Sequence, residues 1–240
     1  MNLNAIQSRI RADLQRFGVG KTAYEVFFRG INFCVYFRIF KAMKIEAANP
    51  DFFGSKEPLQ WRFLDKSQLF ELARNPNNGL AESFVQSALE KGDECYGALD
   101  GEALACYGWY SNKPTEIDNG LTLHFNPDYT YMYNGFTHPK YRGKRLHAIG
   151  MNRALREYLR RGFKGLISCV ESHNFSSLQS VYRLGYQDIG RVVVLKIGSH
   201  PLMHTSRGCR EHGLFLAKPA ATTKPLPVPP SSYATQKSGT

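Results

Sequence analysis

No two of the five cysteines in this 240-residue chain (Cys34, Cys95, Cys106, Cys169 and Cys209) are spaced as CxxC or CxxxC, and their number is odd. A disulfide scaffold and a zinc finger are therefore excluded. Four of the five fall in apolar or strand-like runs and read as core. His200, His204, His212 and Cys209 are neighbours in sequence but match no zinc spacing, so no metal is expected. Long apolar runs are also missing. The most apolar stretch, Gly30–Phe37, lies between Arg29 and Arg38 and is too short to span a bilayer. The first residues lack the order of a secretory signal, and a cytoplasmic chain without stable membrane insertion is expected. Neither GxxxxGK[ST] nor GxGxxG occurs. Acidic residues are the scarcer charge: 31 Lys/Arg against 20 Asp/Glu leave +11. That balance favours anionic partners, whether nucleic acid, lipid or a phosphorylated cofactor. No zinc finger, RNA-recognition signature or basic zipper is present, so nucleic acid is not expected.

Hydrophobic residues make up 42% of the chain, enough for a sizeable core. Residues 4–17 read as a basic amphipathic helix and residues 24–45, rich in aromatic and β-branched types, as one or two strands. From Trp61 onward the pattern tightens. WRFL is a strand, Asp65 an N-cap for a helix over 66–73, and a second helix over 80–90 stops at Gly92. Two strands meet at Asp100-Gly101, a hairpin signal. After a turn-rich loop at 111–120, strands follow at 121–125 and 129–137, then a helix over 145–160, a strand at 166–170 and a helix opened by Asn174 and closed by Gly185. A long strand covers 187–197, and 209–217 suggests one more. The fold class that follows is α/β, a mixed and mostly antiparallel twisted sheet with helices on both faces. The expected organisation is an extension over 1–59, a domain over 60–217 and a disordered Pro/Ser/Thr-rich tail over 218–240.

The densest charge lies between Lys140 and Lys164, where nine Lys/Arg oppose Glu157 alone, a local +8. Within it, HPKYRGKRL (138–146) carries the chain from a strand into a helix. A helix N-terminus leaves backbone N–H groups without intrahelical partners and favours negative charge. Gly143 permits close backbone approach, and Arg142, Lys144 and Arg145 can make charge-assisted bonds. The expectation is a phosphate or pyrophosphate site, against the alternative of a solvated basic turn.

Two stretches together resemble the GNAT (Gcn5-related N-acetyltransferase) superfamily. THPKYRGKRL (137–146) is similar to its (Q/R)xxGx(G/A) pyrophosphate signature, and ESHNFSSLQSVYRLGY (171–186) to its later Asn-opened helix. The resemblance implies a GNAT-like fold, and transfer of an acyl group, most often acetyl, from acyl-coenzyme A to a small-molecule amine by direct attack in a ternary complex. It implies cofactor contacts from Phe136, Thr137, Arg142, Gly143, Lys144, Arg145, Leu146, His147 and Asn174. A homodimer is compatible with it. Three departures stand out. Arg145 and His147 occupy positions where the signature has Gly and Gly/Ala. Val181 stands where the family's proton-donating tyrosine is usual, with Tyr182 one residue later. Residues 129–137 hold no carboxylate, so the base is sought among Glu171, His173, His138 and His124. Trp109, Tyr131 and Tyr133 either line an acceptor pocket or pack the sheet. Cys169 reads as core rather than as a nucleophile, and Asn174 as a helix cap as well as a cofactor contact. The competing function is a catalytically silent acyl-coenzyme A sensor or interaction domain.

Overall fold

The structure, a computed structural model, describes residues 11, 14, 15, 17–54, 58–118, 120–197 and 200–218. The expected 4–17 helix and the tail beyond 218 lie mostly outside that set. Helix α1 (Val19–Cys34) comes first and leads into β1 (Tyr36–Ile45). Residues 24–34 are thus helical where their composition suggests strand. Phe28 and Tyr24 face the body of the protein, and an i,i+4 pair links Arg29 to Glu25 at 2.7 Å. Burial of one helical face outweighs the weak β preference of Phe, Val and Ile.

The central region follows its local signals. β2 (Gln60–Leu64) ends at Asp65, which caps α2 (Lys66–Ala73) in a capping box with Gln68. α3 (Glu82–Lys91) stops at left-handed Gly92. The hairpin β3 (Glu94–Asp100) and β4 (Ala103–Ser111) turns at Gly101. β5 (Thr115–Asp118) occupies part of the expected loop and pairs with β6 (Leu121–His124). β7 (Tyr129–Thr137), α4 (Leu146–Arg160), β8 (Gly165–Glu171), α5 (Phe175–Leu184) and β9 (Gln187–Ile197) match expectation closely. At the end, β10 (His200–Thr205), α6 (Arg207–Glu211) and β11 (Phe215–Ala217) replace the single strand expected at 209–217.

Eight strands form one sheet in the order β10-β9-β1-β8-β7-β4-β3-β2, and β11-β6-β5 form a second. All neighbours in the large sheet are antiparallel except β7 and β8. β1 is an interior strand. It pairs with β8 from Phe40↔Glu171 to Ile45↔Leu166 and with β9 from Tyr36↔Lys196 to Lys44↔Gln187. The segment before residue 60 is therefore part of the sheet rather than an addition laid on it. One face packs under α4 and α5 through residues such as Met43, Ala98, Met132, Leu155 and Val181. The other packs under α2 and α3 at the β2–β4 end, and under the small sheet at the β1–β9 end.

Candidate active site

The sheet opens at the junction of β7 and β8, the one parallel pair among the described residues. β7 and β8 pair at Tyr129↔Gly165, Thr130↔Leu166 and Tyr131↔Ile167, and among the described residues the ladder stops there. At that point Ser168 Oγ donates to the carbonyl of Met132 at 3.1 Å, closing the base of the gap. β7 continues to Thr137 on its other side, paired with β4. Asn134 and Gly135 together oppose Gly108, a bulge in which Asn134 takes a left-handed φ of 44°. The backbone of Tyr133–Thr137 thus faces the gap without a strand to satisfy it, and an extended ligand fits such an edge.

The loop after β7 ends at the mouth of this gap. Pro139–Tyr141 form a single 3-10 turn, and His138 Nδ1 accepts from the Lys140 amide at 3.4 Å. Arg142 folds back so that Nε donates to the Thr137 carbonyl at 3.4 Å. Gly143 (φ 80°) and Arg145 (φ 60°) are both left-handed. Arg145 is the N-cap of α4 but no side chain caps that helix. Residues 142–145 are exposed. The result is a turn with two left-handed residues, a helix N-terminus without a side-chain cap and three cationic side chains, which suits a phosphate group. Lys144 Nζ lies 5.5 Å from the Tyr141 ring centre, and further along Arg153 stacks on Trp61, Arg156 on Phe53, Arg160 pairs with Glu157 and Arg161 with Glu94.

The Acetyltransferase (GNAT) family model matches residues 56–186. That stretch runs from just before β2 through α5 and contains the gap and the loop. The chain belongs to the GNAT acetyltransferase family. Acetyltransferase chemistry with acetyl-coenzyme A is the general activity of that family. No curated protein matches the chain. Solved structures similar to it include a Novosphingobium aromaticivorans protein described as a GNAT-family acetyltransferase (14% identity, 72% of this chain and 67% of that one, TM-score 0.46). A GCN5-related N-acetyltransferase-like protein from Streptococcus suis matches at 11% identity (72% and 66%, TM-score 0.48). A GCN5-related N-acetyltransferase from Sphaerobacter thermophilus matches at 12% (76% and 56%, TM-score 0.47). The chain spans about two thirds or less of the length of these structures.

Several side chains expected at a GNAT site point elsewhere. His147 turns inward, and its ring occupies the place beside Gly135 where a Cβ would lie 2.1 Å from Cε1. Burial lowers its pKa to about 4, so it is neutral and adds no charge to a phosphate site. Leu146 is buried in the core, leaving only its amide at the helix start. Phe136 stacks on Tyr107 at 5.4 Å, so its backbone alone faces the gap. Asn174 Oδ1 accepts from the Ser177 amide at 3.1 Å, and Nδ2 donates to Ser177 Oγ at 2.7 Å, which is the work of an N-cap.

The expected catalytic groups are also displaced. Tyr182 Oη donates to Asp188 and accepts from Lys41, each at 2.8 Å, over β9 and β1 on the far side of β8 from the gap. Its phenol pKa is raised, first by burial. Val181 is buried among core residues. A general-acid role for Tyr182 therefore has no geometric support. Glu171, at the end of β8, meets Arg38 Nε at 3.1 Å and His173 Nε2 at 3.5 Å. His173 stacks on Phe28 at 4.8 Å, and burial, then Arg38 and Arg29, lower its pKa to about 4. His124 stacks on Phe215 in the small sheet. Cys169 lies beside the gap, but burial raises its thiol pKa, against a thiolate nucleophile.

The aromatic wall is mostly core. Trp109 is fully buried edge-on to Phe84, and Tyr131 is buried and stacked on Tyr133. Tyr133 is half-buried beside the gap. Its hydroxyl donates to Asp93, whose carboxylate pairs with Lys91 at 2.9 Å, while the Lys91 ammonium lies 5.2 Å from the Tyr133 ring centre. This Lys91–Asp93–Tyr133 cluster ties the end of α3 and the turn after it to β7, and no spacing in the sequence announces it. Among the described residues no group of His, Cys, Asp and Glu is arranged to hold a metal.

Proposed function

We propose that the chain is an N-acyltransferase that moves an acyl group, acetyl in the first instance, from acyl-coenzyme A to a primary amine. The observation that carries this reading is the coincidence of the β7–β8 gap with the uncapped N-terminus of α4 at its mouth. The backbone of Phe136 and Thr137 would hold the extended arm of the co-substrate. Arg142, Lys144 and Arg145, with Gly143 and the amides of Leu146 and His147, would hold its phosphates. In the transfer the amine nitrogen forms a bond to the thioester carbonyl carbon and gives up one proton to water, the C–S bond breaks, and the leaving thiolate takes a proton from water, so that the amide and the free thiol are released. Holding both reactants in one site lowers the entropic barrier.

The proton-transfer groups differ from the family pattern. The Glu171–His173 pair stands at the open end of β8, and its neutral imidazole is a weak base with a pKa near 4. This supports an acceptor that arrives as the free amine or loses its proton to water. Consumption of acyl-coenzyme A supports a cytoplasmic location.

Titration of the protein with acetyl-coenzyme A by calorimetry tests the reading. One saturable site is expected, weakened about tenfold or more in Arg142→Glu, because a charge-assisted phosphate contact is replaced by repulsion. A thiol-reactive dye then reports release of coenzyme A across an amine panel. A second reading, an acyl-coenzyme A sensor without turnover, is favoured by Val181 in the core and by Tyr182 turned away. Saturable binding with no amine-dependent thiol release would select it.

A further inference from the structure

Helix α1 carries an apolar face that is exposed. Its inner side is fixed: Phe28 lies 5.3 Å from Phe37 and 4.8 Å from His173, and the Tyr24 hydroxyl meets Ser172 Oγ at 2.9 Å. On the outer side Phe33 is 93% exposed, Val19 75%, Phe27 63% and Val26 49%. At 3.6 residues per turn these four fall within an arc of roughly 120°. The other residues in that arc are Ala23, Gly30 and Cys34, all exposed. No charged residue interrupts it.

We propose that this face docks on an anionic membrane surface, with α1 lying in the plane of the interface and the sheet above it. Three observations favour lipid over a protein partner. The arc is apolar without a polar rim of its own acids, and the nearest carboxylate, Glu25, is paired with Arg29. The chain as a whole carries +11, which attracts it to an anionic surface, and Arg29 borders the arc. An exposed Phe/Val stripe on a basic protein is what an interfacial helix needs. The four large side chains expose on the order of 500 Å², taking Phe at ~200 Å², short of the roughly 800 Å² that each partner gives to a standard protein interface. The helix is too short to cross a bilayer, and among the described residues none is long and apolar enough to do so. The face therefore rests on the membrane rather than entering it, whatever the acyl-transfer activity proves to be.

The test is co-sedimentation of the full chain with vesicles of phosphatidylcholine alone or mixed with phosphatidylserine, at low and high salt. Binding is expected to the phosphatidylserine vesicles, to weaken with salt, and to fall at least about tenfold in the Phe27→Glu/Phe33→Glu variant. Circular dichroism and the melting temperature check that this variant is folded. Phe33→Ser, at the most exposed position, serves as a milder second variant. Absence of binding to either vesicle, or binding unchanged in the folded variants, overturns the proposal. Dimerisation in sedimentation velocity that the same substitutions abolish, without vesicle binding, would assign the face to a second copy of the chain.

Discussion

At the scale of single residues, two histidines give the protein a pH signature. His147 and His173 are held neutral, with pKa values near 4 against about 6.5 in an unfolded chain. Between those values the unfolded state binds more protons than the native one. Stability is therefore complete above about pH 6.5 and is lost as pH falls towards 4. Each histidine contributes a slope of at most about 1.4 kcal/mol per pH unit. Denaturant unfolding followed from pH 7 to 4.5 should show this fall, and His147→Gln should reduce its slope by about one proton. Tyr182 provides a second check. Its hydroxyl serves Lys41 and Asp188, so Tyr182→Phe should cost about 1 kcal/mol of stability while changing amine-dependent thiol release less than twofold. A large loss of turnover with unchanged co-substrate binding would return Tyr182 to the catalytic machinery. Neither the inward turn of His147 nor the outward tie of Tyr182 could be read from spacing. Both depend on which face of a helix meets which strand.

At the scale of elements, whatever was decided locally was legible. Asp65 with Gln68, Gly92, Gly101, Asn174 and Gly185 mark real ends, because each acts within its own turn. α1 was not legible as a helix, since its composition favours strand and its reason to be helical is the surface beneath Phe28 and Tyr24. The basic loop proposed to hold phosphate stands out in the sequence through Arg142 and Gly143, whereas the gap beside it appears only when β7 and β8 are seen to part after Tyr131. The bulge in β7 yields a prediction at this scale. Gly135→Ala would place a methyl group 2.1 Å from His147 Cε1, and the overpacking should cost roughly 1–3 kcal/mol. Adding His147→Ala should restore much of that stability, a coupling measurable as a double-mutant cycle in urea.

At the scale of the whole molecule, the sheet depends on its first strand. β1 fills the position between β8 and β9, with ladders on both sides. A chain beginning at residue 60 retains most of the segment matched by the GNAT family, yet it leaves the facing edges of β8 and β9 open and removes Phe40, Ala42 and Met43 from the core. Such a truncation should be insoluble or lack a cooperative melt, whereas a chain beginning at Tyr36 should keep the sheet and lose only the α1 face. Solubility and circular dichroism of the two truncations would decide.

The same strand imposes an order on biosynthesis. YFRIFKAMKI leaves the ribosome early, but its partners β8 and β9 begin at Gly165 and Gln187. At roughly 5–20 residues per second, β1 waits many seconds for them. Over that interval it is a solitary apolar segment, a natural client for a holding chaperone, and the sheet closes only after Ile197 has emerged.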